Sequence, residues 1–130
     1  MNYSTFPTEL DDLSFRVLRH AFDVHTALGP GLLESSYKEC LFYELTQNGF
    51  FVEKEKALPL VYKAVKLNIG YRIDLLIERK LIIEIKSVDT LADIHTSQVL
   101  TYLKLSHCRL ALLINFNVTH LKSGIHRFVL

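Results

Sequence analysis

The pattern of apolar and polar positions changes period along the chain. From Thr8 onward, Leu10, Leu13, Val17, Leu18, Ala21, Val24 and Leu28 recur at near-helical spacing, which puts them on one face of a helix. Thr8 followed by Asp11 suits the start of that helix, and Gly29-Pro30-Gly31 suits its end. A second helix is predicted from about Leu32 to Asn48 on the stripe Leu33, Tyr37, Leu41 and Leu45, with Gly49 in the C-terminal position. The period then drops toward two. Phe51 to Ala57 alternates with charged residues as an exposed edge strand does, and Leu58 to Leu67 continues irregularly, interrupted by Pro59, Lys63 and Lys66. A turn is predicted at Asn68-Ile69-Gly70. Tyr71 to Ile77 and Leu81 to Val88 then form an antiparallel hairpin across Glu78-Arg79-Lys80. Asp89-Thr90 suits the cap of a third helix, from about Leu91 or Ala92 to Leu105. Arg109 to Phe116 and Ile125 to Val129 are the last strands. This order, helices first and strands after with one helix between strands, predicts an α/β fold with helices against a mixed sheet.

Two of these strands carry charge where packing predicts apolar side chains. Aspartate suits a strand interior poorly, yet Asp74 stands among Ile73, Leu75 and Leu76. Strict alternation assigns Arg72, Asp74 and Leu76 to one face and Tyr71, Ile73, Leu75 and Ile77 to the other. In the following strand it assigns Ile82, Glu84 and Lys86 to one face and Leu81, Ile83 and Ile85 to the other. A tight hairpin brings Asp74 near Glu84. Two half-buried carboxylates repel and are hard to desolvate, so they require a positive partner. Lys86 is one candidate and a divalent cation the other; oxygen donors alone suit Mg²⁺ or Mn²⁺ better than zinc. The ordinary alternative is a solvated sheet face on which these charges make cross-strand pairs.

The third helix adds a polar stripe. His95, Gln98 and Tyr102 fall on one side of it and can line the same cleft, although His95 alone reads as an exposed position. Glu34 opens the second helix, where an acid complements the helix dipole; with Gly31 as N-cap it occupies the third helical position. Tyr37, one turn on, reads as core.

Composition narrows the field. Apolar residues make up 49% of 130 residues, enough for one sizeable core, and the chain reads as one domain. The formal charge is +1, so no basic or acidic excess marks the chain as a whole. No apolar run approaches the roughly 20 residues that span a bilayer. The stretch MNYSTFPTELDD is polar and acidic, unlike a signal or transit peptide. Cys40 and Cys108 stand apart in apolar segments, as buried free thiols of a cytoplasmic protein do. Gly29-Pro30-Gly31 follows a helix, where a dinucleotide fingerprint follows a strand. Neither GxSxG nor HExxH occurs, and His20, His25, His107, His120 and His126 lack ligand-like spacing.

Asp74, the tripeptide Glu84-Ile85-Lys86 and the upstream helical Glu34 resemble, in order and in element type, the signature of the PD-(D/E)xK nuclease superfamily. Gln98-Val99-Leu100-Thr101-Tyr102 resembles the QxxxY motif of its RecB-type and phage λ-type exonuclease branch. Gly31-Leu32-Leu33-Glu34-Ser35-Ser36-Tyr37 is similar to the motif that names the GxxExxY protein family, and the likeness extends over about residues 10 to 130. Ile73 replaces the proline of "PD".

The resemblance implies a restriction-endonuclease-like core and metal-dependent hydrolysis of phosphodiester bonds. It implies Mg²⁺ or Mn²⁺ on Asp74, Glu84 and the carbonyl of Ile85, with Glu34 contributing. Lys86 is expected to activate the attacking water or steady the phosphate, and Gln98 and Tyr102 to position them. Arg72, Lys104 and Lys63 are candidates for contacts to a nucleic-acid backbone. The implied partner is nucleic acid, DNA ahead of RNA, with no membrane. The small size leaves substrate choice to a homodimer, loops or a partner protein. The alternative on the same fold is a non-catalytic module that binds nucleic acid or protein; Glu84 salt-bridged to Lys86 would favour it.

Overall fold

The computed structural model describes residues 8–130; the reading of the N-terminal stretch as unlike a signal or transit peptide falls largely on residues 1–7, outside them. The elements are α1 (Thr8–Leu28), α2 (Glu34–Gln47), β1 (Val52–Tyr62), β2 (Val65–Ile77), β3 (Leu81–Lys86), α3 (Asp93–Ser106), β4 (Leu110–Asn115), a short 3₁₀ turn (Leu121–Gly124) and β5 (Ile125–Val129). The five strands form one sheet in chain order. β3 and β4 are parallel, and every other neighbouring pair is antiparallel. A parallel pair needs a long crossover, and α3 lies within it.

Helices cover both faces. On one, Leu13, Val17, Ala21, Tyr37 and Leu41 of α1 and α2 pack on Leu75, Ile77, Leu81, Ile83, Ile85, Leu112 and Ile114. On the other, Val99, Tyr102 and Leu103 of α3 pack on Leu58, Ile73, Leu76, Ile82, Ala111 and Leu113. β4, between β3 and β5, is buried along its whole length, as a strand covered on both faces must be. The predicted α/β fold with a mixed sheet is therefore observed, and the predicted face of Ile82 places Glu84 and Lys86 toward α3. Among the described residues no helix is long and apolar enough to cross a membrane, and Cys40 and Cys108 are free thiols.

Local expectations fail at four places. The predicted turn at Asn68-Ile69-Gly70 is instead a bulge within β2. The β1–β2 ladder pairs Leu58 with Tyr71 and then jumps to Leu60 with Leu67. Pro59 has no N–H to offer the ladder, and Gly70 takes a φ of +96° there, so the surplus residues loop out. The hairpin turns at Lys63-Ala64, where Lys63 has a φ of 54°. Second, the alternation in β2 breaks at Asp74: Tyr71 and Ile73 face α3, whereas Leu75 and Ile77 face α1 and α2. The ladder pairs Lys54 with Leu75 and Lys56 with Ile73, leaving Glu55 and Asp74 unpaired between them, and Glu55 has a φ of 53°. Third, α2 begins at Glu34 with Leu33 as N-cap, so Glu34 is the first helical residue and not the third, and Gly31 (φ +98°) lies in the preceding loop. Fourth, Asp89-Thr90 does not cap α3. Ala92 holds that position, and its N–H donates to His95 Nδ1 at 2.9 Å.

Candidate active site

The site forms where β2 parts from β3. Their ladder pairs Ile77 with Leu81, Leu76 with Ile82 and Leu75 with Ile83, and ends there. Beyond it, side chains replace the missing backbone bonds. Asp74 N–H donates to Glu84 Oε2 at 2.7 Å, and Ile85 N–H donates to Asp74 Oδ2 at 2.8 Å. Each carboxylate thus holds the main chain of the opposite strand, and the pair is fixed by these two bonds between strands. Hydrogen bonds from backbone N–H to a carboxylate are among the stronger kind.

Electrostatics follow from that placement. Glu84 is 2% exposed. Burial first, and then the adjacent Asp74 charge, push its carboxyl up to about 8, while the Asp74 N–H and the Lys86 charge pull it back down. Asp74 is partly exposed and faces Lys38 of α2, whose Nζ lies 3.9 Å from Asp74 Oδ1 and 3.3 Å from Glu55 Oε1. Lys86 makes no ion pair with Glu84, whose carboxylate is taken up by the Asp74 backbone.

Lys86 instead opens into a cleft of about 420 Å³ lined by His95, Gln98 and Tyr102 of α3 together with Tyr71 at its rim. The polar stripe read from helical spacing does line the charged strand, and His95 belongs to it. Gln98 Nε2 donates to the Tyr102 hydroxyl at 3.2 Å. Burial, and next the Glu84 charge, raise the Tyr102 phenol above its usual range, so it keeps its proton and can donate. The edge of Tyr71 meets Tyr102, ring centroids 6.3 Å apart.

Two buried polar side chains anchor the loop before α2 and the chain leaving β3. Tyr37 stacks on Phe116 with centroids 4.6 Å apart. Its hydroxyl donates to the Gly29 carbonyl at 2.5 Å and accepts from Leu32 N–H at 3.1 Å, binding the loop before Glu34. Ser87 Oγ donates to the Leu32 carbonyl at 2.7 Å, tying that loop to the residue after Lys86. Asn115, 3% exposed on β4, accepts from Val88 N–H at 3.1 Å and donates to its carbonyl at 2.9 Å, which holds the chain leaving β3.

The structure therefore gathers Asp74, Glu84, Lys86, Gln98 and Tyr102 at one end of the sheet. Glu34 stands on the first turn of α2, one turn before Lys38, half-buried. No three His, Cys, Asp or Glu side chains lie together as a metal-binding group among the described residues, so Glu34 does not close a three-acid set with Asp74 and Glu84. The donor chemistry still fits a hard cation: two adjacent carboxylates, one of them resisting ionisation because it is buried beside the other, with the Ile85 carbonyl next in sequence. Lys38 and Asn115 were not singled out from the sequence. Lys38 follows Glu34 at four residues on one helix face, which is a usable signal; Asn115 left only a polar residue at the end of an apolar strand.

A five-stranded mixed sheet between helices, with an acid pair where two strands part and a lysine beside it, defines a restriction-endonuclease-like α/β protein. Residues 11–128 match the profile of the PD-(D/E)XK nuclease superfamily, and the chain belongs to that superfamily. No curated protein and no solved structure matches the chain.

Proposed function

We propose that the protein is a divalent-metal-dependent nuclease that hydrolyses phosphodiester bonds in nucleic acid. The observation that carries this reading is the unpaired Lys86 in an open cleft beside a reciprocally bonded Asp74–Glu84 pair. A binding module stabilised by these charges would pair Glu84 with Lys86, and it does not.

Asp74, Glu84 and the Ile85 carbonyl would hold Mg²⁺ or Mn²⁺, with Glu34 on the first turn of α2 reaching the ion only through water. Such an ion lowers the pKa of a water and offsets charge on the phosphoryl oxygens. Lys86 orients the attacking water and moves its proton, or steadies the phosphate. Tyr102 donates to a phosphate oxygen, and Gln98, bonded to its hydroxyl, sets the direction of that donation.

The loop motif supports placing the chain in the GxxExxY branch. Gly31 holds a positive φ, Tyr37 binds that loop at two points, and Glu34 between them starts the helix.

The test is cleavage of single-stranded, duplex and branched DNA and of RNA with added Mg²⁺ or Mn²⁺. Lys86→Ala and Asp74→Asn are expected to abolish cleavage, while Glu39→Gln on the exposed side of α2 leaves it intact. Absence of metal-dependent cleavage on every substrate, or wild-type rates in Lys86→Ala, would overturn the proposal.

A further inference from the structure

The outer parts of β1 and β2 extend beyond both helical layers as a two-stranded arm. Residues 61–70 are exposed without interruption, and Val61, Tyr62, Val65 and Ile69 are each more than half exposed. This apolar surface is unusual for its charge as well. Residues 59–70 hold Lys63 and Lys66 and no acidic residue, so the arm carries +2 on a protein whose total is +1, and Arg72 stands at its base. Lys63 Nζ lies over the Tyr62 ring, 5.4 Å from its centroid, at the tip. The arm's base is continuous with the active-site cleft, because Tyr71 belongs to both.

We propose that this arm is a β-ribbon that enters the major groove of B-form duplex DNA and so selects the substrate of the neighbouring site. The choice of polyanion rests on the nuclease reading, but the dimensions stand apart from it. Two paired strands about 4.8 Å apart fit a major groove about 12 Å wide, which admits a β-ribbon. Residues 59–62, beyond the buried Leu58, at about 3.3 Å per residue reach about 10 Å, roughly a third of a helical turn. Lys63, Lys66 and Arg72 meet phosphates along the groove walls, and Tyr62 with Val65, paired across the ladder on one face of the ribbon, offers apolar contact to base edges such as the thymine methyl. A-form RNA has a deep, narrow major groove that side chains cannot enter, so the arm discriminates DNA from RNA. A second copy of the chain is the poorer occupant, since two arms of the same sign repel where a polyanion attracts.

The experiment measures binding by fluorescence anisotropy in chelator, so that no cleavage is needed, on DNA and RNA duplexes of one sequence and roughly two helical turns. The wild type is expected to bind DNA more tightly than RNA. Lys63→Gln with Lys66→Gln should lower the slope of log affinity against log salt by about two on DNA. Tyr62→Ala should weaken DNA binding with little change in slope. Hydrolysis of bis(p-nitrophenyl) phosphate, too small to reach the arm, should be the same in both variants and the wild type. An unchanged slope in the lysine variant, or equal losses on DNA and RNA, overturns the arm. A dimer that Val61→Ser with Tyr62→Ser splits without loss of DNA affinity also overturns it. If no phosphodiester is hydrolysed and the lysine variant still flattens the slope on DNA, catalysis fails and the arm stands.

Discussion

Glu84 is the residue whose environment departs furthest from its chemistry. Buried, and beside Asp74, its carboxyl titrates near 8 in the folded chain against 4.5 for an unperturbed group. A carboxyl whose folded pKa is raised binds its proton more tightly in the folded state than in the unfolded one. Without metal, its contribution to stability is fully present below about 4.5 and is lost as pH rises through about 8. Urea midpoints measured in chelator should therefore fall as pH crosses that window. Glu84→Gln, neutral at every pH and similar in shape, should flatten the trend and be the more stable protein on the alkaline side. A wild-type midpoint that rises with pH across the window would show that the pair is ionised and compensated, contrary to the structure. The charge itself was legible in the sequence, as an acid and a lysine in an otherwise apolar strand. That Glu84 leans on the Asp74 backbone and not on Lys86 was not, because the choice depends on where two strands part, a tertiary fact.

At the scale of elements, the loop before α2 and the chain after Lys86 are held by the buried polar side chains of Tyr37 and Asn115. Tyr37→Phe keeps the stack on Phe116 and removes both hydroxyl bonds, leaving the Gly29 carbonyl and the Leu32 N–H without that partner. The expected cost is about 1–3 kcal/mol in urea unfolding. Tyr37→Leu, which also loses the stack, should cost more; equal losses would mean the stack adds nothing, and an unchanged Tyr37→Phe would mean the hydroxyl holds nothing. The helices and the faces of β3 were readable because helical and two-residue periods survive when one side packs and the other does not. The arm was not readable for two reasons. Lys63-Ala64 lacks the glycine or asparagine that marks a tight hairpin, and Asn68-Ile69-Gly70, which has them, is used by a bulge opposite Pro59. The alternation in β2 failed at Asp74 for a related reason: the reciprocal carboxylate bonds take the place of ladder bonds, and the strand changes face there.

For the whole molecule, a cation held by the acid pair would couple folding to metal. The folded chain presents two carboxylates side by side at rigid strand positions, and the unfolded chain presents them ten residues apart on a flexible segment. A cation that prefers the first arrangement stabilises the fold by mass action, about 2.7 kcal/mol at a hundredfold excess over its dissociation constant. For a chain of this size that is roughly ten degrees in Tm. The gain should also grow as pH rises toward 8, since a cation displaces the proton that Glu84 otherwise retains. Thermal melts with increasing Mg²⁺ or Mn²⁺ at several pH values check both points. Asp74→Asn should abolish the shift, because it removes one of the two charges that attract the ion, while Glu39→Gln should keep it. A shift of equal size in Asp74→Asn would place the ion elsewhere, and no shift in the wild type at any pH would leave the acid pair as an element of the fold alone.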